Sequence, residues 1–181
     1  PAQLAKIHDE SHEKKKRESE AMINLHAFQM MFKDANPNVS ISALGKKDYY
    51  HNYFIGNDPA RWASEVGLYS KINYTGIYPG IDMAAYGQQN AETAFPEQFK
   101  YEFMVHPGAD PEQIKLLFKG QDKLVVENNQ LIIKLSTGDI IENSPYTYQM
   151  INGIRQEVPC NFRLSAGGNT ISFEFPSGYQ K

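Results

Sequence analysis

Hydrophobic and polar residues alternate with period two over most of this chain, the mark of half-buried β-strands. The alternation starts at Asn24. Phe28, Met30 and Phe32 fall on one strand face, and Asn36-Pro37-Asn38 then signals a turn. Val39, Ile41 and Ala43 alternate in a second segment. Asp48–Ile55 forms a third, with Tyr49, His51, Tyr53 and Ile55 on one face and Tyr50, Asn52 and Phe54 on the other. Gly56-Asn57-Asp58-Pro59 ends it. Asp58 can cap, and Pro59 can open, a short helical turn carrying Trp62.

Ten more strands are expected: Gly67–Tyr74, Ile81–Tyr86, Phe99–Val105, Ile114–Phe118, Leu124–Glu127, Gln130–Leu135, Ile140–Asn143, Tyr146–Ile151, Glu157–Leu164 and Thr170–Phe175. Their separators are turn sequences such as Tyr78-Pro79-Gly80, Asn128-Asn129 and Gly167-Gly168-Asn169. The clearest two-residue hairpin is Asn152-Gly153, where φ > 0 is needed. Gln88–Glu97 reads as a long polar hairpin loop within the domain. Many short strands without βαβ alternation predict an all-β domain, an antiparallel β-sandwich-like packing of sheets.

The pattern differs before residue 24. Ala2–Ala21 has no Gly or Pro and few apolar positions, and Glu10–Lys14 and Glu13–Arg17 are favourable (i, i+4) pairs worth about 0.3 kcal/mol each. Residues 1–23 are therefore expected to be a short charged helical or flexible tail, and residues 24–181 a single β-rich domain. The basic run Lys14–Arg17 is flanked by acids that cancel its field, so it reads as a solvated face.

Composition narrows the function. The chain has 181 residues, 41 % hydrophobic and 12 % aromatic, which is enough for a sizeable core and excludes wholesale disorder. Its net charge of -3 disfavours a dedicated nucleic-acid binder. No apolar stretch is long enough to span a membrane. Cys160 is the single cysteine, so neither an internal disulfide nor a CxxC pair can form.

Chemistry-bearing motifs are sparse. The phosphate-cradling glycine loops, the GxSxG elbow, HExxH and the EF-hand loop are all missing from the sequence. His8 and His12 are spaced to share a helix face and hold a divalent metal weakly, but two exposed histidines on a polar helix explain them as simply. His26, His51 and His106 read as structural. Asp58, Asp82, Glu102, Asp110 and Asp139 are the acids from which a hydrolytic pair could be drawn. Asp58, Asp110 and Asp139 have a simpler role accepting backbone N–H bonds in turns. Cys160 lacks a partner base and reads as an inert, half-buried thiol. No catalytic, cofactor-binding or metal-binding residue is assigned, and no cofactor is expected. The aromatics crowding the first half serve either as core or as a surface. Tyr49, Tyr50, Tyr53, Trp62, Tyr78 and Tyr86 are the candidate ligand or partner surface.

Three segments and a tail share a recognisable order: Asn52-Tyr53-Phe54-Ile55-Gly56-Asn57-Asp58-Pro59-Ala60-Arg61-Trp62, Tyr74–Gly87 with its Pro79-Gly80-Ile81-Asp82 core, Phe99–Pro111, and Ser144–Gln149 with Gly178-Tyr179. From about Leu25 to Lys181 they resemble a domain of unknown function that stands before β-propeller-type (SBBP) repeats in large secreted Bacteroidetes proteins associated with gliding motility or type IX secretion. The resemblance implies a secreted or cell-surface location, and partners among other domains of a parent protein or cell-surface proteins. It supplies no catalytic residues. The family pattern runs on through a further strand, so this chain is expected to be a piece of a longer one. A strand edge left open suits docking by strand addition. The expected function is thus a non-catalytic module for assembly, adhesion or partner docking. The alternatives are a carbohydrate-binding module, which needs exposed Tyr or Trp beside polar groups, and a hydrolase built on the scattered acids.

Overall fold

A computed structural model of the protein describes residues 23–89 and 96–180. The charged tail, including His8 and His12, and the tip of the polar loop lie outside them. Thirteen strands appear in chain order: β1 (Gln29–Phe32), β2 (Ser40–Tyr53), β3 (Ala63–Tyr78), β4 (Ile81–Gln89), β5 (Pro96–Val105), β6 (Leu116–Lys119), β7 (Lys123–Glu127), β8 (Gln130–Lys134), β9 (Ile140–Glu142), β10 (Tyr148–Ile151), β11 (Ile154–Glu157), β12 (Asn161–Leu164) and β13 (Thr170–Glu174). Short 3₁₀ turns at Pro59–Arg61 and Pro111–Gln113 are the helical elements among the described residues. The domain is all-β, as the alternation predicts.

The strands pair antiparallel in four small sheets, ordered β1-β6-β13-β12, β2-β3-β4-β5, β7-β8-β9 and β10-β11. One core cluster joins the first and third sheets through Leu116, Phe118, Leu124, Leu131, Ile133, Phe162 and Ile171. Met30 and Phe32 of β1, with Phe28 just before it, pack on this cluster. A second cluster sits at the β3–β4 hairpin, built on Ile77, Tyr78, Ile81, Met83 and Ile114. Phe32, Tyr101, Phe103 and Phe173 touch both clusters and so tie the β2–β5 sheet to the rest. Their rings meet edge-on or tilted, with Phe32–Phe103 centroids 6.0 Å apart and Phe103–Phe173 centroids 6.3 Å apart.

Three expectations change. The segments around Ile41 and Tyr50 belong to one 14-residue strand, β2, because Gly45 takes φ +67 and a bulge between Lys46 and Tyr50 absorbs the irregularity without a turn. The expected strand Glu157–Leu164 divides in two. Val158 continues the β10–β11 register, donating its N–H to Thr147 O, and Pro159 then has no N–H to give a ladder. The span expected as the loop Gln88–Glu97 is strand at both ends, since β4 and β5 stay paired out to Gln89 opposite Pro96.

Both acid-capped turns form as predicted. Asp58 accepts from the Ala60 N–H at 3.1 Å and Asp110 from the Glu112 N–H at 3.0 Å, each ahead of a proline at the first turn. Asn152-Gly153 makes the β10–β11 hairpin with both residues at positive φ.

Candidate functional site

The inner end of the β2–β5 sheet is covered by the core, and its outer end is not. Opposed residues in an antiparallel ladder project to the same face, so registers can be read across the sheet. Ala43, Ile72, Ala85 and Tyr101 form one row, and Ile41, Tyr74, Met83 and Phe103 the next. This face is apolar. Tyr101, Phe103 and Met83 are packed inside, while Ile41 is 60 % and Phe99 is 69 % exposed. The sheet therefore outruns the layer that covers it.

The opposite face carries Leu44, Lys71, Tyr86 and Lys100 as one row across four strands, with Lys46 opposite Tyr69 alongside. The Lys100 ammonium lies 5.3 Å from the centre of the Tyr86 ring and 2.7 Å from Glu102. Glu102 and the Tyr86 hydroxyl hold that ammonium well above the usual lysine range, and Lys100 in turn holds the Glu102 carboxyl below its usual range. Gly67 stands opposite Tyr50. A Cβ there would meet Lys46 Cε and the Tyr69 ring at 3.4 Å, so both side chains lean over a position without a side chain.

Four candidate aromatics are exposed at the far end. Tyr49, Tyr50 and Tyr53 are on β2, and Trp62 closes the Pro59–Arg61 turn. Tyr49, His51 and Tyr53 form a run of rings with centroids 6.4 and 6.3 Å apart. Trp62 packs edge-on against Phe54 at 5.5 Å and donates its indole N–H to Gly56 O at 3.2 Å. Tyr86 is half-buried beneath Lys100. Tyr78 must be removed from the candidate surface. It is 2 % exposed, and its hydroxyl donates to the carbonyls of Lys33 and Lys115 inside the second core cluster. Sequence reasoning passed over Lys46, Lys71 and Lys100, and counted Tyr69 among the crowding aromatics without placing it on the candidate surface. What unites them is register across strands, which no single strand reveals.

The acids considered for hydrolysis each have a local partner. Asp58 and Asp110 cap their turns. Asp139 pairs with Lys134 at 2.5 Å and Glu102 with Lys100. Asp82 accepts from the Gly76 N–H at 2.6 Å and contacts His106 Nε2 at 2.9 Å, and these two hydrogen bonds lower its pKa, His106 contributing more. Glu142 accepts from the Tyr101 hydroxyl where β9 meets β5. Its carboxyl is pushed up by burial, more than that hydrogen bond lowers it.

His26 is structural. Its Nε2–H donates to Gly120 O at 2.7 Å, which leaves Nδ1 to accept from the Ser136 N–H at 3.1 Å. Cys160 is buried, and that burial pushes its thiol up to about 11, away from nucleophilic chemistry at neutral pH. Among the described residues, no group of three or more His, Cys, Asp and Glu side chains could hold a metal ion. None of their helices is long and apolar enough to cross a membrane.

Fold and surface together define an all-β, sandwich-like domain with an aromatic-rich sheet extension beyond its core. The chain belongs to the family described as a domain of unknown function (DUF7948), whose model matches residues 1–181. No curated protein and no solved structure matches it.

Proposed function

We propose that this chain is a non-catalytic interaction module of a secreted or cell-surface bacterial protein, docking through the outer half of its β2–β5 sheet. The observation that carries the reading is the concentration of large exposed side chains there. Leu44, Tyr49, Tyr50, Tyr53, Phe54, Trp62 and Phe99 lie outside both core clusters. An extension of this kind contributes little to stability, and contiguous exposed apolar surface on a soluble domain marks an interaction site. The edge of β2 adds a second mode of contact. Among the described residues β2 pairs only with β3, so the backbone groups of alternate residues along this 14-residue strand face outward on its other side. The resemblance to modules preceding SBBP repeats in secreted Bacteroidetes proteins supports placing the chain in a larger assembly at the cell surface, where other domains of the parent protein or cell-surface molecules are its partners.

Retention of the purified chain on isolated bacterial cell envelopes tests this. Tyr49→Asp combined with Trp62→Asp is expected to reduce retention at least about tenfold, the scale of losing one aromatic anchor. Both positions are exposed, so the melting temperature should stay within a few degrees of the parent. Retention unchanged by both substitutions, or turnover of glycoside, ester or peptide substrates, would contradict the reading.

A further inference from the structure

The two faces of the sheet extension differ in chemistry, and only one has a charge signature. The face bearing Ile41, Ile72 and Phe99 is apolar, and nothing there selects one partner over another. On the other face Lys46, Lys71 and Lys100 alternate with Tyr50, Tyr69 and Tyr86. A solvent-facing sheet surface ordinarily carries mixed small polar and charged residues. Here three ammonium groups are interleaved with three phenol rings, in a protein whose net charge is -3.

We propose that this face binds an anionic polysaccharide, and the inference rests on the interaction-module reading above. Several features select that ligand. The surface is an open sheet face, which suits an extended polymer better than a small enclosed molecule. Lys71 and Lys100 are two strands apart, about 10 Å at the backbone. Tyr86 lies between them in the same row with the Lys100 ammonium over its ring, so a bound chain meets Lys71 and then the Lys100–Tyr86 pair. The exposed Tyr50 and Tyr69 rings offer flat apolar surfaces to the C–H faces of sugar rings, and the ammonium groups pair with carboxylate or sulfate substituents. Gly67, having no side chain, lets Lys46 and Tyr69 fold over the backbone there and sets a cation beside a phenol ring. Ser42 and Asn73 extend the same face with a hydroxyl and an amide. Glu102, fixed to Lys100, places a negative charge in the patch and weighs against the uniform phosphate backbone of a nucleic acid.

Binding of the full chain to four probes decides the matter by calorimetry: polygalacturonate for carboxylate, heparin for sulfate, dextran as the neutral polymer and poly-L-glutamate as the acidic peptide. Binding to polygalacturonate or heparin is expected, weakening as salt screens the charges, with no comparable binding to dextran or poly-L-glutamate. Lys71→Glu should weaken it at least about tenfold. Gly67→Leu should weaken it comparably while leaving every charge in place, which separates a shaped site from general attraction. Poly-L-glutamate bound as tightly as the glycans would overturn the proposal, as would glycan binding indifferent to Lys71→Glu and Gly67→Leu. Envelope retention without binding to either anionic glycan overturns this inference and leaves the interaction module standing. Loss of envelope retention as well overturns both.

Discussion

Phe118→Ala is expected to destabilise the domain by about 4 kcal/mol, in the range found when a buried aromatic ring is removed. Phe118 is 1 % exposed on β6, pairs with Met30 of β1 and stacks on Phe28 with centroids 6.5 Å apart. It also belongs to the cluster holding the β7–β9 sheet against the β1-β6-β13-β12 sheet. Truncation leaves a cavity at the meeting point of three strands that cannot close without breaking their pairing. The paired control is Phe99→Ala on β5. That ring is 69 % exposed, and its removal should change stability by no more than about 0.5 kcal/mol. Chemical denaturation measures both. The contrast assigns stability to the inner half of the molecule and leaves the outer sheet free for binding. A large loss for Phe99→Ala would mean that the extension is part of the core after all.

The second large effect is at the contact of β5 with β9. Tyr101→Phe removes the hydroxyl that donates to Glu142, and a largely buried acceptor then loses its partner, at a cost of about 1–3 kcal/mol. The effect depends on pH. Burial raises the Glu142 pKa in the folded state, so between the ordinary carboxylate pKa and the raised one the folded protein keeps a proton that the unfolded chain has released. Stability from this group is therefore fully present below the ordinary pKa and declines as pH rises through the raised value. Glu142→Gln carries no titrating proton and keeps an oxygen for Tyr101 to donate to. Its stability relative to the parent should improve from pH 4 to pH 8, while the Tyr101→Phe deficit should grow over the same range. Parallel pH profiles for the parent and Glu142→Gln would show that the carboxyl is not strained by burial. Asp82 works in the opposite sense, because its lowered pKa favours the fold above the ordinary carboxylate range and loses that contribution on acidification.

The all-β class was legible because period-two alternation and hairpin turns leave few alternatives over most of the chain. The caps at Asp58 and Asp110 and the hairpin at Asn152-Gly153 were legible too, since each depends on residues adjacent in sequence. Long-range features were not. Tyr78 sits in the turn sequence Tyr78-Pro79-Gly80, which by itself does not separate a buried tyrosine from an exposed one. Its burial follows from docking of the β3–β4 hairpin against Ile114, which local pattern does not encode. The continuity of β2 was hidden because Gly45 and the Lys46–Tyr50 bulge look like punctuation, yet the paired β3 holds the strand together. The lysine–tyrosine face is spread over Lys46, Lys71 and Lys100 on three different strands. Only the registers of β2 to β5 bring them to one surface.

The most direct test is amide hydrogen exchange on the chain, free and bound to cell envelopes. In the free protein, β6, β8 and β13 should be the slowest to exchange, because Phe118, Leu131 and Ile171 anchor the core. The outer parts of β2 and β3, Leu44–Tyr53 and Ala63–Tyr69, should exchange faster. On binding, new protection should appear in those outer segments. Protection confined to β7–β9 or the β10–β11 hairpin, with β2 and β3 unchanged, would contradict the account.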